Sequence, residues 1–428
     1  MTASVLDRRV ATPDIRCGPM ALDKSLRRNR DYMLVWAGQG VSELGSQIST
    51  VAYPLLVLAL THSPAKAGVV GLAATLPLPL LALPAGMLAD HFDRKRLMLL
   101  CDAIRAVALA ALAIAVFGGH VAYGAIAAVA FIDGSLMTVS FVTERGVLRR
   151  LVAPEQLSAA VAQTESVFYA GSVLGPPVGG LLFAITRALP FLADAVSYAF
   201  SAAAKLLTRA KFQVERTDQR GNLAAEFTSG LRWLWRQPLL RTCSLLTAAA
   251  NPTWRALYLM LVVLAKRHGA SSELVGVMFA MIAAGGLLGG LVAGSRFAEG
   301  ISARVAVRFD ICVTALLMPL LLIEQGTLFT AVIVALIEVP APLANSQIEG
   351  LRGTLAPEHM QGRVHAAAGA LSQSLGWAGP LAVGLALQHF SGTTTILILC
   401  GWALLSALGA LLLPSMRATW ETPAVELS

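Results

Sequence analysis

The chain has 428 residues, of which 56% are hydrophobic and only 14% charged, with a formal net charge of +8. A water-soluble domain carries about 25% charged residues, so a chain this long and this apolar is excluded as a soluble globule. The basic surplus would suit a nucleic acid, but its distribution along the chain, taken up below, places it on one face of a membrane, and no nucleic-acid partner is expected.

The apolar residues arrive in blocks, and about 20 consecutive apolar residues cross a bilayer as a helix. Residues 1–30 are polar, carry both signs and lack a basic-then-apolar start with a small-residue cleavage site, so they read as a tail and not as a cleaved signal. Twelve spans follow. Span 1 (33–60) places Gln39, Glu43 and Gln47 four residues apart on one helix face. Span 2 (67–89) ends in Gly86-Met-Leu-Ala-Asp90, with Arg94, Lys95 and Arg96 just after it. Span 3 (97–117) carries Asp102 and Arg105, three apart and expected to pair locally. Span 4 (121–143) carries Asp133, on a face with Ser140 and Glu144. Span 5 (163–185) contains Gly171, Gly175-Pro176-Pro177, Gly179 and Gly180. Span 6 (189–207) holds Asp194, read as structural.

A polar stretch, 208–241, separates two halves, 31–207 and 242–414, each of six spans. Span 7 (242–264) holds Trp254 and Arg255, and span 8 (274–294) is glycine-rich through Gly285, Gly286, Gly289 and Gly290. Span 9 (305–323) is as oily as span 3. Span 10 (328–346) holds Glu338 on a face with Asn345; span 11 (366–389) holds Gln373 and Trp377; span 12 (394–414) precedes a short tail, 415–428.

With the N-terminus inside, the outer loops hold only Lys66, Arg187, Lys266 and Arg267 of the 33 Lys and Arg, while Arg105 and Arg255 lie within spans. That asymmetry predicts both termini in the cytoplasm of an inner-membrane protein. The five cysteines form no CxxC pair and read as small apolar residues, with no disulfide framework and no metal site implied. No P-loop, HExxH or GxSxG occurs, so neither a cofactor nor an enzyme is expected.

The chain also repeats itself. Leu151-Val-Ala-Pro-Glu-Gln-Leu157 resembles Thr354-Leu-Ala-Pro-Glu-His-Met360, and Gly175-Pro176 and Gly180 recur 204 residues later as Gly379-Pro380 and Gly384. The loop before span 5, and span 5 itself, thus return as the loop before span 11 and span 11. A six-helix repeat in one orientation predicts an all-α membrane protein of about 12 transmembrane helices in two pseudo-symmetric bundles.

Gly86 to Arg96 resembles the signature G-x-L-a-D-r-x-g-r-[RK] of the major facilitator superfamily, with Asp93 where that signature has glycine. Gly171 to Gly180 resembles the g-x-x-x-G-P-x-x-G-G motif on the fifth helix of its drug/proton antiporters. The start of span 1 from Arg28, Gly230 to Pro238 before span 7, and Gly362-Arg363-Val364 before span 11 are similar to the twelve-helix branch of macrolide-efflux and enterobactin-export proteins. The resemblance covers about residues 28 to 416. It implies alternating access and proton-driven export of a small molecule without naming the substrate. It also implies that Gly86, Asp90, Arg94, Lys95 and Arg363 form a gating contact, with Asp90 near the start of span 11, and that Gly171, Gly175, Pro176, Gly179 and Gly180 form the antiporter motif.

Charge within a bilayer is costly and marks candidate sites. Glu43, Asp133 and Glu338 are the candidate proton-coupling carboxylates, Glu43 first. Gln39, Gln47, Trp254, Arg255, Asn345, Gln373 and Trp377 are candidate lining of a substrate cavity, and the span 5 glycines are expected to seat against span 8. The leading expectation is a monomeric exporter of a hydrophobic or amphipathic molecule whose partners are substrate, protons and lipid. A facilitator or importer of the same fold, and a membrane sensor or scaffold, are the alternatives.

Overall fold

The computed structural model describes residues 24–153, 156–210, 212, 223–323, 326–357 and 360–417. Its elements are α1 (Lys24–Arg28), α2 (Arg30–Thr61), α3 (Pro64–Thr75), α4 (Pro77–His91), α5 (Arg94–Phe117), α6 (Tyr123–Leu151), α7 (Leu157–Ile185), α8 (Leu189–Leu207), α9 (Leu223–Arg236), α10 (Pro238–Arg267), α11 (Ser272–Ala293), α12 (Ala303–Leu317), α13 (Thr327–Glu338), α14 (Ala341–Leu355), α15 (Gln361–Gln373), α16 (Ala378–His389), α17 (Gly392–Leu412) and α18 (Pro414–Arg417). Among the described residues there is no strand. Most of both tails (1–23 and 418–428) and positions 211 and 213–222 of the central polar stretch lie outside the described residues.

Among the described residues eleven helical stretches are long and apolar enough to cross a membrane, and α8 makes the twelfth long segment, diluted by Asp194 and Lys205. The protein is a multi-pass, all-α membrane protein. Three expected spans are broken. Span 2 becomes α3 and α4, interrupted at Leu76 before Pro77, which has no N–H to continue the ladder. Span 10 becomes α13 and α14 at Val339-Pro340, and span 11 becomes α15 and α16 across Ser374 to Trp377. Other helices outrun their apolar blocks: α7 starts at Leu157, α6 runs to Leu151 and α10 starts at Pro238. Their polar first or last turns are helical in the interface, where hydropathy gives no signal.

In the first half α2 packs on α7 and α8, α5 on α8 and α6, and α3 and α4 on α6. In the second, α10 packs on α15 and α16, α11 on α13 and α14, and α12 on α14 and α17. Among the described residues the halves meet chiefly through two pairs, α7 with α11 and α3 with α16. Glycine permits both. A Cβ on Gly68 would lie 2.6 Å from the Pro380 carbonyl oxygen, and one on Gly384 2.6 Å from that of Pro64. Gly180 faces Ser272 and Gly276, whose own Cβ would lie 2.6 Å from the Pro176 oxygen. These approaches lie in the first turns of α3, α11 and α16 and near the end of α7, away from the Arg94–Arg96 cluster. At the Arg94–Arg96 end α4 touches α15 and α9 only lightly. The two halves pack closely at one end and touch only lightly at the other.

Candidate functional site

The polar stripe of span 1 forms one wall. Asn29 caps α2, accepting from the Tyr32 N–H at 3.1 Å and donating its side-chain amide to the Leu151 carbonyl at 2.6 Å, which fixes the rotation of the helix. Gln39, Glu43 and Gln47 are each half-buried, and Gln47 Nε2 donates to Glu43 Oε1 at 2.7 Å. The α7 glycines cover this wall. A Cβ on Gly171 would lie 3.2 Å from Glu43 Cγ, one on Gly175 would collide with Gln47, and one on Gly179 would lie 2.7 Å from the Ile48 oxygen.

The expected seam between Gly171, Gly175, Gly179 and the span 8 glycines is therefore corrected. Residues 171, 175 and 179 share one helix edge and face α2. Pro176, Pro177 and Gly180, an edge about 100° away, face Gly276 of α11. Gly285 and Gly289 of α11 seat instead against Ala335 and Val339 of span 10.

Behind this wall the first half buries an ion-pair network. Asp102 and Arg105 do not pair with each other, as their spacing led one to expect. Lys205 Nζ of α8 donates to Asp102 Oδ2 at 2.7 Å, with both side chains nearly fully buried. Arg105 Nε donates to Asp133 Oδ1 at 2.7 Å, and its guanidinium lies 3.9 Å from the Tyr198 ring centroid. Cross-helix partners win because both ends of α5's charges point into the bundle, where α6 and α8 supply counter-charges. Asp133, one of the candidate proton-coupling carboxylates, is thus held by an arginine. Tyr198 and Ser46 share a 2.6 Å hydrogen bond, and Tyr53 packs edge-on to Phe191. Lys205 and Tyr198 escaped the sequence reading, although Asp194 and Lys205 lie 11 residues, three helical turns, apart on one face of α8.

The second half contributes fewer groups. Arg255 is half-buried beside Gly376, in the break between α15 and α16, and has no ion pair among the described residues. Asn251, one turn before it, donates to the Ser372 carbonyl at 2.6 Å and to Gln373 Oε1 at 3.2 Å. Trp377 donates to the Ser374 carbonyl, and Tyr258 stacks on Phe279 at 5.1 Å. Glu338 packs against Gly286 and falls within electrostatic range of Tyr258 and, across the two halves, of Tyr169 on α7. Trp254 lines a small cleft with Asp310, and Asn345 is exposed.

At the basic end, a Cβ on Gly86 would meet nothing within 4 Å. The Asp90 side chain lies outside the described residues. Arg94 Nε donates to the Ala89 carbonyl at 3.3 Å and its guanidinium fills the space over Gly146 of α6. Lys95 Nζ donates to the carbonyls of Leu206 and Thr208 at 3.3 and 2.6 Å, neutralising the C-terminal end of α8. The backbone of Arg363 lies against Gly230, so α9 is packed on α15. Among the described residues no cluster of His, Cys, Asp or Glu has the make-up of a metal site.

A family model described as Major Facilitator Superfamily matches residues 35–380. The multidrug efflux pump Tap of Mycolicibacterium fortuitum is 29% identical over 402 residues, covering 87% of this chain and 93% of that protein. The protein of that name from Mycobacterium tuberculosis (strain ATCC 25618 / H37Rv) is 27% identical over 406 residues, covering 90% and 93%. Among solved structures, the nucleoside transporter NupG superposes with a TM-score of 0.73 at 13% identity, over 91% of this chain and all of that one. A bacterial homologue of the iron transporter ferroportin, in an inward-facing state, does so with a TM-score of 0.66 at 15% identity, over 92% and 100%. Identities this low speak for the fold, and the family match covers most of the length: the chain belongs to the major facilitator superfamily, whose members are transporters and not enzymes.

Proposed function

We propose that this chain is a secondary active exporter of hydrophobic or amphipathic small molecules, driven by proton entry through alternating access. The observation that carries the reading is its similarity, along nearly the whole length, to pumps named for multidrug efflux. In this reading the Arg94–Arg96 end and both tails face the cytoplasm, residues 31–207 and 242–414 rock as two bodies about the 208–241 stretch, and one chain suffices. The glycine contacts at the far end then correspond to a closed outer gate.

Glu43 is the coupling group. Its carboxylate sits on the half-buried wall of α2, held by the neutral amide of Gln47 at 2.7 Å and by no cation of its own among the described residues. A proton or a cationic substrate is the simplest partner for such a group. Arg255, Gln39, Gln47 and Glu338 line the path between the halves, and the arginine and the carboxylates give it polar anchors of both signs. Inverted vesicles with an imposed proton gradient, challenged with a panel of lipophilic cations and neutral amphipaths, test the reading. Wild type should accumulate some of the panel only with the gradient. Glu43→Gln should still exchange those compounds but no longer concentrate them. Uphill transport at the wild-type rate by Glu43→Gln removes Glu43 from the role, and gradient-independent movement by wild type removes proton antiport.

A further inference from the structure

The wall of α2 leaves unexplained a set of polar atoms sealed behind it. Arg105 is 5% exposed and Asp194 is 0% exposed. Arg105 spends Nε on Asp133, yet its Nη2 has no hydrogen-bond partner. Asp194 Oδ1 accepts from the Ser197 hydroxyl at 3.2 Å, yet its Oδ2 has none. The hydroxyl of Tyr53, in the same core, is likewise unpartnered. Arg105, Asp133, Asp194 and Tyr53 all fall within electrostatic range of one another. A buried donor and a buried acceptor of opposite charge, both unmet and both in one core, are an exception that calls for a reason.

Counting the charges supplies it. The groups facing this core are Glu43 and Tyr53 from α2, Asp102 and Arg105 from α5, Asp133 and Glu144 from α6, and Asp194, Tyr198 and Lys205 from α8. Lys205 is committed to Asp102. Four carboxyl groups then share Arg105, and the two that act on it most strongly are Asp133 and Asp194, of which it satisfies one. A second bare carboxylate in an apolar interior is costly, and a single proton shared by the two removes the cost.

We infer that Asp133 and Asp194 hold one exchangeable proton between them, with Arg105 as the positioning residue that changes partner, and that this trio is the interior proton site of the transport cycle. The inference rests on the proton-antiport reading above. In the arrangement seen, Arg105 holds the Asp133 carboxylate and the proton is on Asp194. When the proton passes to Asp133, its O–H bond to Asp194 breaks, one forms on Asp133, and Arg105 turns Nη2 to the Asp194 carboxylate. Arg105 keeps all its protons throughout. The trio is neutral with the proton and carries one net negative charge without it. Glu43 and Glu144, in electrostatic range of each other and of Arg105, connect the trio to the α2 wall.

The full chain in liposomes, with no ligand, tests this by infrared difference spectroscopy between acid and alkaline buffer, read at the C=O stretch of protonated carboxyl groups. Asp194→Asn should remove one carboxyl's intensity from the wild-type difference. Asp133→Asn should remove the same intensity although Asp194 is intact, because Arg105 is then free to pair with it. Arg105→Gln should add a second carboxyl's intensity. A purely structural Asp194 predicts no loss in Asp133→Asn. A signal unchanged in Asp194→Asn, or retained in Asp133→Asn, overturns the inference, and the Asp133→Asn arm decides alone if Asp194→Asn does not fold. Failure of the antiport reading shows elsewhere, as wild-type vesicles indifferent to the proton gradient with these spectra unchanged.

Discussion

In the first half Asp102 and Asp133 each have a cation at 2.7 Å. In the second half Asp310 and Glu338 have none among the described residues, and Asp310 Oδ1 and Glu338 Oε2 lack any hydrogen-bond partner. The backbones correspond: Asp102 lies on the third span of its half and Asp310 on the third span of the other. The difference comes from the sixth span. α8 carries Lys205 three turns after Asp194, whereas α17, its counterpart, contains no charged residue at all. The repeat has kept what packing needs, since Gly180 and Gly384 serve the two inter-half contacts alike, and has let charge diverge. Glycine at a crossing has no substitute of similar size, but a buried carboxylate has several fates, and each half has taken a different one.

The comparison breaks most visibly at Lys205. Lys205→Met leaves Asp102 buried without its partner, and removing one member of a buried pair costs about 3–5 kcal/mol. A large fall in thermal midpoint of the purified protein is expected, most of it recovered in Asp102→Asn/Lys205→Met, where both charges are gone. If Lys205→Met melts as wild type does, the ion pairs of the first half are ornamental and the contrast between the halves disappears.

Next in size are the two shared crossings. Leucine at Gly180 or Gly384 must displace the backbone carbonyl of Ser272 or of Pro64, which crowds the new Cβ, and overpacking of this kind costs about 1–3 kcal/mol. On the alternating-access reading proposed above, the cost falls on the state in which the far end is closed. Both variants should fold, lose most of their transport, and expose cysteines placed in α3 and α11 near that end to a polar thiol reagent. Equal effects at the two positions would support the pseudo-symmetry; a silent Gly384→Leu would confine the gate to α7 and α11.

The helices and the repeat were legible because both are written in local pattern: twenty apolar residues make a span whatever lies beside them, and Gly175-Pro176 returns as Gly379-Pro380. Breaks at Leu76 and Val339-Pro340 also carried a local sign, a proline, that the apolar run masked. Partner choice was not legible. Asp102 and Arg105 satisfy the helical spacing for a pair, and only the placement of α6 and α8 around α5 shows that each has a better partner. The same holds for the α7 glycines: their spacing defines an edge but not the helix that fills it. Glu43 was readable because its stripe of amides lies within a single helix.

The smallest effect is expected at Asp310, where the comparison is sharpened and not broken. Asp310 lines the small cleft beside Trp254, Thr253, Thr314 and Ser406, and no cation depends on it. Asp310→Asn keeps the shape, orphans no partner and adds a donor that the hydroxyls nearby can accept, so its effect on stability should stay within about 1 kcal/mol. The equivalent change in the first half, Asp102→Asn, strands the buried ammonium of Lys205 and should cost several times more. Thermal midpoints of the two variants, measured in one detergent, give the ratio directly. Similar losses would mean that Asp310 has a counter-charge in a state other than this one, and transport by Asp310→Asn would then fall as well. A stable and active Asp310→Asn, beside a weakened Asp102→Asn, would assign the fixed charges to the first half and leave the second half free to present Arg255 and Glu338 to whatever passes between them.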